Sequence, residues 1–261
     1  AVMSQTLFFA ADDGGLGYEL YKSDGTLTGT VLVKDINNGV ADSDPADGVV
    51  LNNRLYFRAY DYVHGVELWQ SDGTAAGTVL VKDIYTGSLY SYPIQLTVWK
   101  GNLYFQAADG VHGTELWKSD GTPTGTVMLK DIRSGAGNGS PQYFTGLGNW
   151  LYFAAGDDSH GIELWRTDGT AANTSLVKDI YTGITNSLPS DLVVLSNTLW
   201  FRATSPAGVE LWKSDGTPAG TVMVKDINPS GSATIDDLTA LNDRVMFTAN
   251  DGTHGQEVWQ S

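Results

Sequence analysis

Residues 48–84 read as four short apolar runs: "GVVL" (48–51), "RLYFRAYD" (54–61), "VELWQS" (66–71) and "TVLVKDI" (78–84). The segments between them, "NN", "DYVHG" and "DGTAAG", are built from turn formers. Within "LYF", side-chain alternation sends Leu55 and Phe57 one way and Tyr56 the other. None of the three is charged, so the pattern predicts a strand covered on both faces. No ten-residue stretch carries a helical period, and the reading is four antiparallel strands joined by tight turns.

The same pattern returns. "HGVELWQSDGTAAGTVLVKDI" (64–84) is followed by "HGTELWKSDGTPTGTVMLKDI" (112–132) and "HGIELWRTDGTAANTSLVKDI" (160–180). The Glu of this motif stands at 19, 67, 115, 163, 210 and 257, so the period is 47 or 48 residues. Four strands per repeat of that length predict an all-β chain, a β-propeller of six four-stranded blades within a single domain, 1–261. The repeat units run 1–44, 45–92, 93–140, 141–188, 189–232 and 233–261. "AVMSQTLFF" (1–9) aligns with "VVLNNRLYF" (49–57), so the chain opens within a first strand. It stops at "EVWQS", after the third strand of the sixth unit, and the last blade is expected to lack its outer strand. A piece of a longer array is the alternative.

A hairpin register separates scaffold from chemistry. With Ser71 opposite Thr78 around "DGTAAG", Glu67 faces Lys82. The same register pairs Glu19 with Lys34, Glu115 with Lys130, Glu163 with Lys178 and Glu210 with Lys225. Five identical cross-strand ion pairs are expected, worth roughly 0.2–1 kcal/mol each. In each "DGT" turn the Asp is expected to accept downstream backbone N–H groups, with Gly at positive φ and the Thr hydroxyl closing the turn. The Trp of "ELW" is expected to pack in the core. Trp99, Trp150 and Trp200 fall outside the repeat, and packing is the expectation for them too.

Composition narrows the function. Six of the 30 acidic residues are Glu, leaving 24 Asp against 15 Lys and Arg, and the net charge is −15. Such a surface repels phosphate backbones, which argues against nucleic acid as a partner. There is no Cys, which removes disulfides, thiolate metal sites and Cys nucleophiles. No apolar run is long enough for membrane insertion as a helix. G-x-S-x-G, H-E-x-x-H and a Gly-rich phosphate loop are all missing from the sequence, and the reading is a non-enzyme.

What varies between repeats points to a site. All four His residues occupy one loop position, His64, His112, His160 and His254, while Leu16 and Ala207 stand there in the first and fifth units. The hairpin register places His64 opposite Tyr85, His112 opposite Arg133 and His160 opposite Tyr181. With Asp61, Asp109 and Asp157 in the same loops, these residues predict shallow pockets for sugar hydroxyls and the C–H face of a pyranose. One feature does not repeat: Asp42, Asp44 and Asp47 in "ADSDPAD" have the spacing of a Ca²⁺ loop, with a solvated acidic linker as the alternative. No cofactor is otherwise required.

The stretches "ELWQSDGT", "ELWKSDGT" and "ELWRTDGT" resemble the ELWxxDGT repeat family, and the match runs through essentially the whole chain. "ELYKSDGT" (19–26) and the terminal "EVWQS" depart from it. The family is found mainly in secreted or surface proteins of bacteria, so the resemblance implies an extracellular or cell-surface location. The expectation is a multivalent, lectin-like protein that binds glycans or glycoconjugates. The alternative is a structural or adhesion module contacting other extracellular proteins, and the third reading is a polysaccharide hydrolase or lyase.

Overall fold

The structure, a computed structural model, describes residues 1–261. Its 23 strands include no helix among them, and they form six antiparallel sheets, five of four strands and one of three. Every strand pairs with its sequence neighbour, so each repeat is one meander. The chain divides into two compact units, Ala1–Asp131 and Ile132–Ser261, with three sheets in each. The second sheet comprises Ala46–Leu51, Arg54–Asp61, Gly65–Ser71 and Val79–Lys82, close to the runs expected from the sequence. The last sheet, Asp236–Leu241, Arg244–Asn250 and Gln256–Gln260, has no fourth strand.

The alternation in "LYF" has the expected consequence. Leu55 and Phe57 pack with Phe8 and Leu20 of the first sheet. Tyr56 packs with Leu103, Phe105 and Trp117 of the third. In the second unit, Tyr152 and Leu164 meet Phe201 and Trp212 in the same manner. Each such side chain contributes about 1.5–3 kcal/mol by leaving water. Trp69, Trp117, Trp165 and Trp212 are all buried, as core residues should be.

The ion-pair expectation fails. Gln70 pairs with Val79 and Trp69 with Leu80, in the expected register, but a bulge then sets Leu68 opposite Lys82. The same slip places Leu20, Leu116, Leu164 and Leu211 opposite Lys34, Lys130, Lys178 and Lys225. Glu67 is fully buried, and its carboxylate accepts the N–H groups of Ile84 at 2.9 Å, Tyr85 at 3.2 Å and Ser91 at 3.2 Å. The Ser91 hydroxyl adds a fourth bond at 2.6 Å. Lys82 instead donates from Nζ to the Thr126 carbonyl of the third sheet at 2.7 Å, and Lys34 reaches the Thr78 carbonyl of the second at 2.8 Å. The cause is the backbone's demand: buried N–H groups left without acceptors cost about 1–3 kcal/mol each, whereas a long ammonium chain can find a carbonyl elsewhere.

The buried Glu is therefore a staple that holds the chain running from one sheet to the next. Glu19 binds Ile36 N–H and the Ser43 hydroxyl, and Glu163 binds Ile180 N–H and both donors of Ser187. Ala233 stands at this place after the fifth sheet, where its N–H bonds the Val209 carbonyl, and Glu210 Oε1 is buried without a partner. Burial raises Glu67 from 4.5 to about 7, against the pull of its four donors, and raises Glu19, Glu163 and Glu210 in the same direction. Glu257, in the three-stranded sheet, is exposed.

The DGT turns behave as scaffold. Asp72 accepts the Thr74 amide at 3.0 Å and its hydroxyl at 2.7 Å, and Thr74 Oγ1 accepts Gly77 N–H at 2.9 Å. The Thr74 hydroxyl and amide hold the Asp72 carboxyl below its usual range. Where Asn173 replaces this Gly, its side-chain amide donates to Asp168 at 2.7 Å.

Candidate functional site

Each His lies in a loop between the second and third strands of its sheet, and one Asp organises that loop. Asp61 accepts the amides of Val63 at 2.9 Å and His64 at 2.6 Å, and its other oxygen meets His64 Nδ1 at 2.8 Å. The arrangement recurs in Asp109 with His112 at 2.7 Å, Asp157 with His160 at 3.0 Å and Asp251 with His254 at 2.7 Å. Three residues of separation let one carboxylate cap the turn and orient the ring. Burial pushes Asp109 and Asp157 up, but the imidazole and the loop amides together outweigh it and hold both below the ordinary range. The bond to Asp raises His112, His160 and His254. With Nδ1 tied, Nε2 is the nitrogen left for a ligand. The side chains of His64, His112 and His160 are 32%, 35% and 32% exposed.

The partners of these loops differ from those expected. Pairing of the third and fourth strands ends at Leu68–Lys82 after the bulge, so the register that put His64 opposite Tyr85 does not exist. The same slip removes the pairings of His112 with Arg133 and of His160 with Tyr181. Each connection instead leans onto the loop of the following sheet. Tyr85 lies on Gly110, whose positive φ of 84° and missing Cβ are both needed, because a Cβ there would collide with the ring. Tyr85 is thereby grouped with Asp109 and His112. Arg133 Nε lies 3.5 Å from Asp158 and lines a cavity of about 300 Å³ with Asp157, His160, Asn138 and Asn186. Tyr181 lines a cleft with Ser205 and Ala207, in the loop that has no His.

The three candidate metal ligands do not converge. Asp42 accepts the Tyr18 amide at 2.8 Å, Asp47 pairs with Arg58 at 2.6 Å, and no group of three or more acidic or His side chains is placed to hold a metal ion. Trp99, Trp150 and Trp200 each carry a cation over the ring, from Lys100 at 4.7 Å, Arg166 at 4.1 Å and Lys213 at 5.8 Å.

One further group is aromatic. Tyr60, Tyr62, Tyr90 and Tyr92 form a chain of edge-to-face contacts at 5.5–5.8 Å. The signal was available: these four tyrosines belong to one repeat alone.

No family model matches the sequence, and no curated protein does either. Solved structures are similar in fold. The computationally designed Ika8 protein superposes with a TM-score of 0.55 at 16% identity, over 100% of this chain and 70% of that one. A puromycin hydrolase S511A mutant complexed with PGG gives 0.55 at 15% identity, over 94% of this chain and 40% of that one. A structure from an analysis of two prolyl endopeptidases gives 0.56 at 15% identity, over 98% and 37%. The chain thus spans well under half the length of the two enzymes. Together with the six meandering sheets, these likenesses define an all-β, propeller-like repeat protein.

Proposed function

We propose that this chain is a non-enzymatic, extracellular binding protein that holds glycans at several of its Asp–His loops. The observation that carries the reading is the repetition of one oriented imidazole, tied through Nδ1 to Asp and a third exposed, in the second, third and fourth sheets. Two loops also have a neighbouring connection suited to a sugar. Tyr85 beside the His112 loop offers an aromatic ring to C–H groups. Arg133 beside His160 offers a fork of donors to hydroxyls or a carboxylate, in a cavity of about 300 Å³. Such sites are individually weak, and repetition on one chain raises avidity toward a multivalent surface. The resemblance to ELWxxDGT proteins supports the extracellular location.

A glycan array probed with the parent and with a His112→Ala/His160→Ala double variant tests this. Loss of signal in the variant is the expected result. Retained binding would refute the site assignment, and a parent that binds nothing would favour a structural or adhesion module.

A further inference from the structure

The second sheet carries an aromatic cleft that the repeat does not require. Tyr60, Tyr90 and Tyr92 line a cavity of about 230 Å³ together with Asp44 and Arg58. Tyr60 and Tyr90 meet at 87°, and so do Tyr90 and Tyr92, with centroids 5.8 and 5.5 Å apart. At the place of Tyr60 the other sheets carry Asp12, Ala108, Gly156, Thr204 and Asn250, and no aromatic residue stands at the places of Tyr90 or Tyr92 either. The fifth sheet has a cleft in the same position, with Arg202 retained but Thr204 and Leu188 where Tyr60 and Asp44 would be. Packing is thus satisfied without the tyrosines.

Two of the Glu staples hold the cleft's walls. Glu67 grips Ser91, between Tyr90 and Tyr92, and Glu19 grips Ser43, beside Asp44. Tyr92 and Asp44 both sit at φ of 46°, a left-handed conformation that the staples and the bonds to Val66 and Tyr18 carbonyls sustain. Arg58 is neutralised by Asp47 at 2.6 Å, which leaves Asp44 as the uncompensated charge on the cavity. Three phenol rings, each perpendicular to the next, thus line a small volume from different directions, with a carboxylate at its edge. That combination matches a compact, weakly hydrated cation; a pyranose would call for one broad open ring face.

The geometry points to a binding site for a quaternary or methylated ammonium group, caged by Tyr60, Tyr90 and Tyr92 with Asp44 as its counter-charge. The site is separate from the Asp–His loops and stands whether or not those loops bind glycans.

Titration of the full chain with tetramethylammonium and choline, followed by NMR of the tyrosine rings, tests the assignment. The neutral isostere 3,3-dimethylbutan-1-ol and methyl glucoside serve as competitors. Saturable cation binding is expected, with the isostere at least about 10-fold weaker. Tyr90→Ala should weaken the cation by about 10-fold or more, and Asp44→Asn by about 3-fold or more, the latter loss shrinking in high salt. Asp44→Asn alters one exposed side chain and decides the matter if Tyr90→Ala does not fold. His112→Ala should leave cation affinity unchanged. No cation binding, equal affinity for the isostere, or displacement by the glucoside would overturn the proposal.

Discussion

Replacing Glu67 by Gln tests the staple directly, because it removes the charge and keeps the shape. Glu67 Oε2 accepts Ile84 N–H and the Ser91 hydroxyl, and Oε1 accepts the Tyr85 and Ser91 amides. A Gln can keep one oxygen on two amides. Its nitrogen then faces the Ser91 hydroxyl, which can turn round to accept, and the Ile84 N–H, which cannot. One buried amide is left unpaired, at about 1–3 kcal/mol. The pH dependence carries the sharper signature. Burial raises the Glu67 carboxyl from 4.5 to about 7, so the folded chain binds its proton more tightly than the unfolded chain. Stability from this group is present in full below about pH 4.5 and declines until the pH passes about 7. The decline amounts to roughly 3 kcal/mol. The Gln variant lacks it. Urea unfolding followed by tryptophan fluorescence at pH 5, 6, 7 and 8 should show the variant weaker than the parent at pH 5, with the gap closing or reversing by pH 8. Glu19, Glu163 and Glu210 slope the same way in both proteins and cancel in the difference. Parallel stability curves would refute the argument that desolvation outweighs the four donors.

A double-mutant cycle of Glu67→Gln and Lys82→Met should give a coupling below about 0.5 kcal/mol, because the two side chains act on different partners; a larger coupling would restore the cross-strand ion pair. Lys82→Met alone should cost about 0.5–1.5 kcal/mol through the lost bond to the Thr126 carbonyl, measured by the same unfolding curves. Ala233→Ser should stabilise by about 0.5–1.5 kcal/mol, since the Ser at this place after the first, second and fourth sheets donates its hydroxyl to Oε2 of the buried Glu, a bond that Glu210 lacks. A lowered melting temperature in that variant would show that the hydroxyl does not reach Glu210.

Local features were legible because they rest on local causes. Alternation in "LYF" determined that Leu55 and Phe57 share one face and Tyr56 the other, and the six-fold recurrence of the Glu motif determined the number of sheets. The DGT turn was readable because its hydrogen bonds close within six residues. The spacing of Asp61 and His64 likewise put both in one turn. The partners of Glu67 were not readable in this way. A single bulge between Leu68 and Trp69 shifts the hairpin by one residue, and no residue type in the strand announces it. That shift turns a surface ion pair into a buried staple, because backbone amides 17 to 24 residues downstream need an acceptor more than Lys82 does. It also carries Tyr85 and Arg133 onto the loops of the following sheets. The tyrosine cleft depends on two connections and one strand meeting at a single point. Sequence determined the repeated unit, while tertiary structure decided which neighbouring units share a site, because contacts between repeats are set by packing and by the satisfaction of buried amides rather than by any pattern within a repeat.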